Sequence, residues 1–563
     1  MGNIYPVLSA LIGGAAGALD KIDGATLADG DAAIVILASG VYHYHLNATS
    51  GEDESSPDII SPDDNAGDKR WILGSINVKG FPGLLADEQH VLDAEVLAAA
   101  GVNSGITSMT GLDDDGIPVA KVADAMDKTA PVLEGDLDGG GYDIINSPLL
   151  TELTDGSETT LHFHPHYAEI YGVSWDESQA TGGYLRTGTL AGLAVSQTLD
   201  DALIPIHALM RRCILSDAGE VQYYLGATDS TKKQDMSTAS VLDGTDGQVM
   251  VEIPAFYYRY GYAGTTHTWE ISLYKREGFN LHPAFIKNGE AVAYRYIGAY
   301  EGVGWDDSVS AYIDSGCVAA TNWSGTTIDL ANDKLGSVSG FCPMVDETRA
   351  ENRSICANVG TGWRQQDFDL TSAIQLLYIT EYADWNSQSM IGMGRTELSG
   401  GTWTKDSYIG VTGKSNSDGN GTNSVGGNTN DAYMTYRGIE NFFGNVYKWV
   451  DGININDNVP YVCNTDTDFA DNTTTDYTDL GITLAASDDY QVTLEQSARG
   501  FLPASVGGSS STYITDSYFQ SAGWRVARHG GNADSGTSAG VMFWVLSVSS
   551  SYDFAGISGR LAY

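Results

Sequence analysis

The sequence predicts a mainly β protein with some α, arranged as several domains of a fibrous trimer. Short runs rich in Val, Ile, Tyr and Trp recur between clusters of Gly, Asp, Asn and Ser, the signature of strands and turns. A length of 563 residues exceeds one ordinary domain. Between the β-rich ends lies a polar, Gly-rich stretch that cannot bury a core alone, so neighbouring chains would have to complete it. The expected division is residues 1–78 as an N-terminal β-module, 79–166 as a slender shaft, and 167–563 as one large α+β globular unit.

In the first module, Asp29 to Leu73 reads as two apolar strands, a polar excursion and a closing strand around Trp71. The layout resembles small β-modules near the starts of phage tail fibres, which implies attachment to other tail or baseplate proteins. In Val41 to Leu46, His43 and His45 share one strand face. A metal pair is one reading there; exposed histidines opposite a buried tyrosine face is the expected one. The apolar opening Val7 to Leu19 has no basic lead-in and is broken by Gly13, Gly14 and Gly17, which argues against a signal peptide or a membrane span.

The shaft has one helical stretch, Leu84 to Ala100, in which Leu85, Gln89, Leu92, Val96 and Ala99 alternate spacings of four and three, the seam of a short coiled coil. Gly135 to Pro148 is turn-dense. The shaft ends in Glu158 to Ile170, where His162 and His164 alternate with Leu161 and Phe163 and so point the same way on a strand. Two imidazoles cannot fill a coordination shell, but three parallel chains would bring six to one axis, an octahedral set for a divalent transition metal. The motif resembles the His-x-His elements of trimeric phage tail fibres, which implies one axial ion of iron or zinc type per trimer. His166, after Pro165, reads as a loop residue.

In the large unit, His207 to Leu225 and Gly247 to Tyr262 read as β-rich, with Pro254 marking part of the second as an edge. Trp269 to Gly289 and Tyr294 to Gly302 continue the pattern. A helix over Leu370 to Tyr382 puts Leu370, Ala373, Ile374, Leu377 and Glu381 on one face, with Asp369 as its cap, and should pack on a sheet. Gly413-Lys414-Ser415 imitates the end of a phosphate loop, but Tyr408 stands where that loop needs glycine, so nucleotide binding is rejected. Asp451, Asn454, Asn456, Asp457 and Asn458 form an oxygen-rich group with Val462 where an EF-hand needs Glu. A hydrogen-bonded turn is expected there, and a structural calcium is the lesser reading.

Three phrases close the chain: YRGIENFFGNVYKWVDG (Tyr436 to Gly452), AGWRVARHGGN (Ala522 to Asn532) and GISGRLAY (Gly556 to Tyr563). Gly444-Asn445 makes a turn feeding a half-buried strand that Asp451-Gly452 should stop. In the second phrase Trp524, Val526 and Arg528 share one face, leaving Arg525 and Ala527 on the other. In this order the phrases resemble the closing motifs of the formylglycine-generating-enzyme branch of the C-type lectin fold, most closely its phage variants hypermutated by diversity-generating retroelements. IPAFYYRY and YRYIGAYEG look like the early strands of that family. The resemblance implies a lectin-like head on a phage tail fibre, contacting a bacterial cell-surface receptor that is protein or glycan.

Enzymatic members of that branch use paired reactive cysteines close to the final strand, or clustered histidines. Here the cysteines are Cys213, Cys317, Cys342, Cys356 and Cys463, with none beyond, and His529 is the only histidine after His282. No enzyme is expected. The dispersed, odd set of five also makes no disulfide framework and fits assembly in a reducing bacterial cytoplasm before display on the virion tail.

The resemblance also implies a variable region, about 530–561. Retroelement substitution in Asn-type codons never yields Lys, Glu, Gln, Trp or Met, and Gly530 to Tyr563 contains no Lys, Glu or Gln. Met542 and Trp544 therefore read as fixed scaffold, and Arg560 and Leu561 as the closing strand. By resemblance, the diversified receptor-binding positions are Asp534, Ser535, Ser538, Phe543, Val545, Ser547, Val548, Tyr552, Asp553, Phe554, Ala555, Gly556 and Ser558. Tyr552 and Phe554 offer rigid contact area while the serines adapt their hydrogen bonds.

The formal charge of −44, from 29 Lys and Arg against 73 Asp and Glu, removes nucleic acid as a partner and keeps a trimer soluble. A purely structural tail or baseplate protein is the competing reading. A carbohydrate-active tailspike ranks below it, because no fixed-period repeat signals a β-helix.

Overall fold

The computed structural model describes residues 4–8, 10, 12, 18–37, 40–50, 53–56, 58–62, 68–77, 170–195, 197–314 and 328–563. The helical stretch from Leu84, the pair His162 and His164, and Cys317 lie outside the described residues. The chain is mainly β with some α and divides into two compact units, Met1–His162 and Phe163–Tyr563.

In the first unit one five-stranded sheet runs in the order Ile4–Leu8, Ala32–Leu37, Gly40–Asn47, Arg70–Asn77, Ile59–Ile60. Its first pairing is parallel and the next three are antiparallel. Alternation sends Ala33, Val35, Tyr44, Leu46 and Trp71 into a small core with Leu19, Leu27 and Ile60. The same alternation leaves His45 exposed and His43 half-buried, opposite the buried Tyr44. The start of the apolar opening, Val7 and Leu8, forms the end of the strand Ile4–Leu8.

The larger unit is built on three main sheets. The six-stranded one runs Arg364–Gln365, Leu561–Ala562, Tyr294–Gly298, Gln248–Pro254, Arg211–Leu215, Val221–Tyr224, so a strand from the far end of the sequence is inserted beside early ones. Gln248–Pro254 is a central strand, paired on both sides and buried throughout, not the edge that Pro254 suggested. The proline is tolerated because it is the last residue of the strand. A five-stranded sheet runs Asn280–Leu281, Tyr257–Ala263, Thr266–Ser272, Tyr171–Asp176, Tyr184–Gly188. The largest sheet runs Thr478–Asp479, Val459–Val462, Tyr447–Asn456, Trp524–His529, Trp544–Val548, Ser517–Gln520, Asp489–Leu494, Pro503–Val506, with Ile557–Ser558 pairing parallel to Tyr447–Asn456.

The helix Phe368–Tyr382 touches both of the latter sheets, through Tyr171–Asp176 and Thr266–Ser272 on one and Tyr447–Asn456 on the other. It is therefore buried around its circumference and not along one stripe. Its cap is Asp367, which accepts from Leu370 N at 2.9 Å, two residues earlier than the sequence suggested. Asp369 is unavailable for capping because Arg499 holds its carboxylate at 2.6 and 2.8 Å. Trp385 then meets Trp175 and Trp269 edge-on, with ring centroids 5.3 and 5.8 Å apart, and Phe501 closes the cluster.

Candidate functional site

Side chains alternate across the largest sheet, and its two faces have different fates. On one, Val450, Ile453, Ile455, Tyr518, Ala527, Trp544 and Leu546 pack with Phe368 in a closed core. On the other, Trp449, Val526, Val548 and Ile557 form a smaller buried cluster, against which the partly exposed Tyr447 and Phe554 pack. The strand Tyr447–Asn456 is long enough to build both because Asp451-Gly452 does not end it. The pairing with Trp524–His529 shifts between Val450 and Asn454, and Gly452 takes φ +68 in a bulge where a Cβ would lie 2.6 Å from Cys463 O. The strand turns only at Asp457-Asn458, both at positive φ.

The second face carries an aromatic strip with one cation in it. Arg528 faces Trp449 on one neighbouring strand and Val545 on the other. Its guanidinium carbon lies 4.1 Å from the ring centroid of Tyr447 and 5.4 Å from that of Tyr552, and its Nε and Nη1 are buried without a hydrogen-bond partner. Burial pulls this arginine below its ordinary value, against the phenols of Tyr447 and Tyr552. Tyr447 continues to Phe543, 5.9 Å away, and Phe543 to Phe519, 5.8 Å away and 36% exposed. On the other side Phe554 meets Trp403 at 5.0 Å, and Trp403 meets Tyr408 at 4.9 Å. Hydroxyls border the strip: Ser535 Oγ lies 3.3 Å from Tyr447 Oη, and Tyr490 Oη lies 2.9 Å from Thr537 Oγ1. Asp346, held at φ +76, has its carboxyl pushed up by burial and by the nearby Asp553.

The sequence-predicted positions divide by depth. Asp534, Tyr552 and Asp553 are exposed, and Ser535, Ser538, Ser547, Phe554 and Ala555 are half-buried. Phe543, Val545, Val548, Gly556 and Ser558 are buried, so they shape the face from beneath and do not form its surface. Gly556 has no room for a side chain, since a Cβ would meet Phe554 at 2.6 Å and Trp403 at 2.9 Å. Met542 and Trp544 are fully buried, and Trp544 Nε1 donates to Phe501 O at 3.0 Å. Sequence reasoning missed Trp403, Tyr408, Tyr490 and Phe519. Only Phe519 carried a signal, as the residue alternating with buried Tyr518 on a strand.

The other candidates resolve into structural roles. Asp451 binds Arg353 at 2.6 and 2.9 Å, Asn454 Oδ1 accepts from Arg349 at 2.6 Å, and Asp457 accepts from Gly523 N at 2.7 Å, so that oxygen-rich group is split among protein partners. Glu440 fills the loop that resembled a phosphate cradle, accepting from Gly413 N at 2.8 Å and Ser415 N at 2.7 Å. Among the described residues no group of three or more His, Cys, Asp and Glu could hold a metal ion, and no helix is long and apolar enough to cross a membrane. Cys213, Cys356 and Cys463 are free, and burial raises each thiol above its ordinary value, the opposite of what a reactive thiolate needs. Cys342 is disulfide-bonded, against the expectation from the dispersed cysteines.

No family model matches the chain, and no curated protein matches it. Among solved structures, the Major Tropism Determinant P3c variant aligns over 63% of this chain and 71% of its own, at 13% identity and a TM-score of 0.22. The Major Tropism Determinant U1 variant aligns over 57% and 83%, at 12% identity and a TM-score of 0.22. At that TM-score the likeness decides neither fold nor function.

Proposed function

We propose that this chain is a phage tail-fibre receptor-binding protein with a C-type-lectin-like head, which attaches the virion to a host cell through a sequence-variable face. The carrying observation is the division of labour in the largest sheet: one face is sealed core, and the other presents a partly covered aromatic strip bordered by serines and acids. Such a surface binds by rigid aromatic contact and adaptable hydrogen bonding, and it can change without touching the core. The variable set that can make contact is Asp534, Ser535, Ser538, Ser547, Tyr552, Asp553, Phe554 and Ala555. The rest of the proposal rests on the sequence: a homotrimer, one transition metal clamped by His162 and His164, and an N-terminal module docking to tail or baseplate proteins. A trimer multiplies weak contacts into firm adsorption. No catalytic step is part of the reading. The test is adsorption of particles carrying Tyr552→Ala, Asp553→Ala and Phe554→Ala together. Adsorption should be lost or redirected with the head still folded; undiminished adsorption to the same cells would move the receptor site elsewhere and favour a structural tail protein.

A further inference from the structure

Where Leu561–Ala562 joins the six-stranded sheet, buried positive charge exceeds its partners. Asp367, 2% exposed, takes Arg295 Nη2 at 2.6 Å and Arg364 Nε at 3.3 Å on one carboxylate oxygen, while its other oxygen caps the helix. That carboxylate is fully used. Arg364, 3% exposed, donates Nη1 to Asn464 O at 3.0 Å, but its Nε and Nη2 are buried without a hydrogen bond. Beside it, the Lys287 ammonium donates to Gly362 O and lies 4.1 Å from the ring centroid of Tyr563. Among the described residues no carboxylate lies within 4.0 Å of that ammonium.

The arrangement is built, not incidental. The Tyr563 ring sits in a slot that two glycines keep open, since a Cβ on Gly219 would lie 2.1 Å from its Cζ and one on Gly362 would lie 2.9 Å from its Cε2. Lys287 and Tyr563 are half-buried, so solvent reaches this seam, while Arg364 is enclosed. Burial and the two guanidiniums of Arg295 and Arg364 draw the Lys287 ammonium down to about 7, against the opposing charges of Asp466 and Asp367. Asp367 is committed, Asp369 is held by Arg499, and the half-buried Asp466 offsets Lys287 and Arg364 only in part, so three clustered cations keep an excess of positive charge that an anion would relieve.

We propose that Lys287 and Arg364 form a binding site for a small oxyanion, a phosphate or carboxylate group supplied from outside the chain. The site stands apart from the aromatic strip and is independent of the receptor-binding reading. Two sources share this chemistry, a free ion and an anionic group on a larger polymer. The test compares the whole protein with Lys287→Gln and Lys287→Arg, using inorganic phosphate against chloride at equal ionic strength, and polyphosphate as the second ligand. Calorimetric titration should show phosphate binding in the native chain, roughly tenfold weaker in Lys287→Gln and recovered in Lys287→Arg, since a tenfold change is about 1.4 kcal/mol. Phosphate should also slow acylation of the Lys287 amine at neutral pH, read by peptide mass spectrometry, because binding holds the ammonium charged. Tighter binding of polyphosphate than of phosphate assigns the source to a polymer, and equal binding assigns it to the free ion. Equal affinity in the native chain and Lys287→Gln, or acylation unaffected by phosphate, overturns the site.

Discussion

Trp449→Ala separates the scaffold of the candidate face from its surface. Trp449 is fully buried between Val526, Val548 and Ile557, and its Nε1 donates to Glu347 O at 2.9 Å. Removing a buried tryptophan costs roughly 3–5 kcal/mol. The orphaned carbonyl adds about 1–3 kcal/mol if no water replaces the indole. Against a domain stability of about 5–15 kcal/mol, the variant should lose a large part of its stability and unfold at much lower urea. Tyr552→Ala removes a 36% exposed ring that faces Arg528 at 5.4 Å, a loss of only ~0.5–1 kcal/mol. Urea unfolding followed by tryptophan fluorescence and by far-UV dichroism reads both variants. A Trp449→Ala midpoint within ~1 kcal/mol of the parent, or a Tyr552→Ala loss equal to it, would refute the assignment of core and surface.

Acid sensitivity should come from buried neutral histidines. His529 is held down at about 3 by burial, and its Nε2 lies 2.7 Å from Val541 O. The unfolded chain binds the proton first, near 6.5, so this group's stability is present above that pH and lost as pH falls toward 3. His529→Gln can keep a donor for Val541 O without the titration, and the native chain should lose stability more steeply by ~1.4 kcal/mol per pH unit between about pH 6 and 4; parallel profiles would refute it. Trp524, half-buried against Tyr461 at 6.3 Å, should tolerate Ala far better than Trp449 does, and equal urea midpoints for the two variants would contradict the burial. Light scattering at micromolar concentration should return a trimer, and a monomer would end the fibre reading. Elemental analysis should find a transition metal that His162→Ala with His164→Ala removes; its absence from protein purified without chelator would count against the axial site.

Local periodicity made part of this architecture legible. The alternation in Trp524 to Arg528 placed Val526 and Arg528 on one face and Ala527 on the other, as the two clusters require. The strand around Trp71 and the helix ending at Tyr382 were equally readable. Competition for the same groups was not. Asp369 has the chemistry of a cap, but Arg499 takes its carboxylate from a position 130 residues away. Asp451-Gly452 has the chemistry of a stop, but pairing with Trp524–His529 from Lys448 to Asn456 carries the strand through it as a bulge. Phe543, Val545 and Val548 are selected by resemblance to a family's variable positions, which carries no information about depth in this chain. Trp403 reaches the strip from a polar loop, and no short-range pattern announces such a contact.

The insertion of Leu561–Ala562 between Tyr294–Gly298 and Arg364–Gln365 has a consequence for biogenesis. The six-stranded sheet cannot close until the ribosome has passed Leu561, so early strands wait for a partner more than 260 positions downstream. Pairing at such separations is slow and exposes unfinished edges to aggregation. The proposed variable positions, Asp534 to Ser558, all precede Leu561 and are synthesised before that strand. If those positions vary as proposed, a change that prevents folding there would leave the sheet open and exposed to proteolysis, which acts on the open form. Completion of the sheet would then act as an inspection step, passing only those faces that the scaffold can carry.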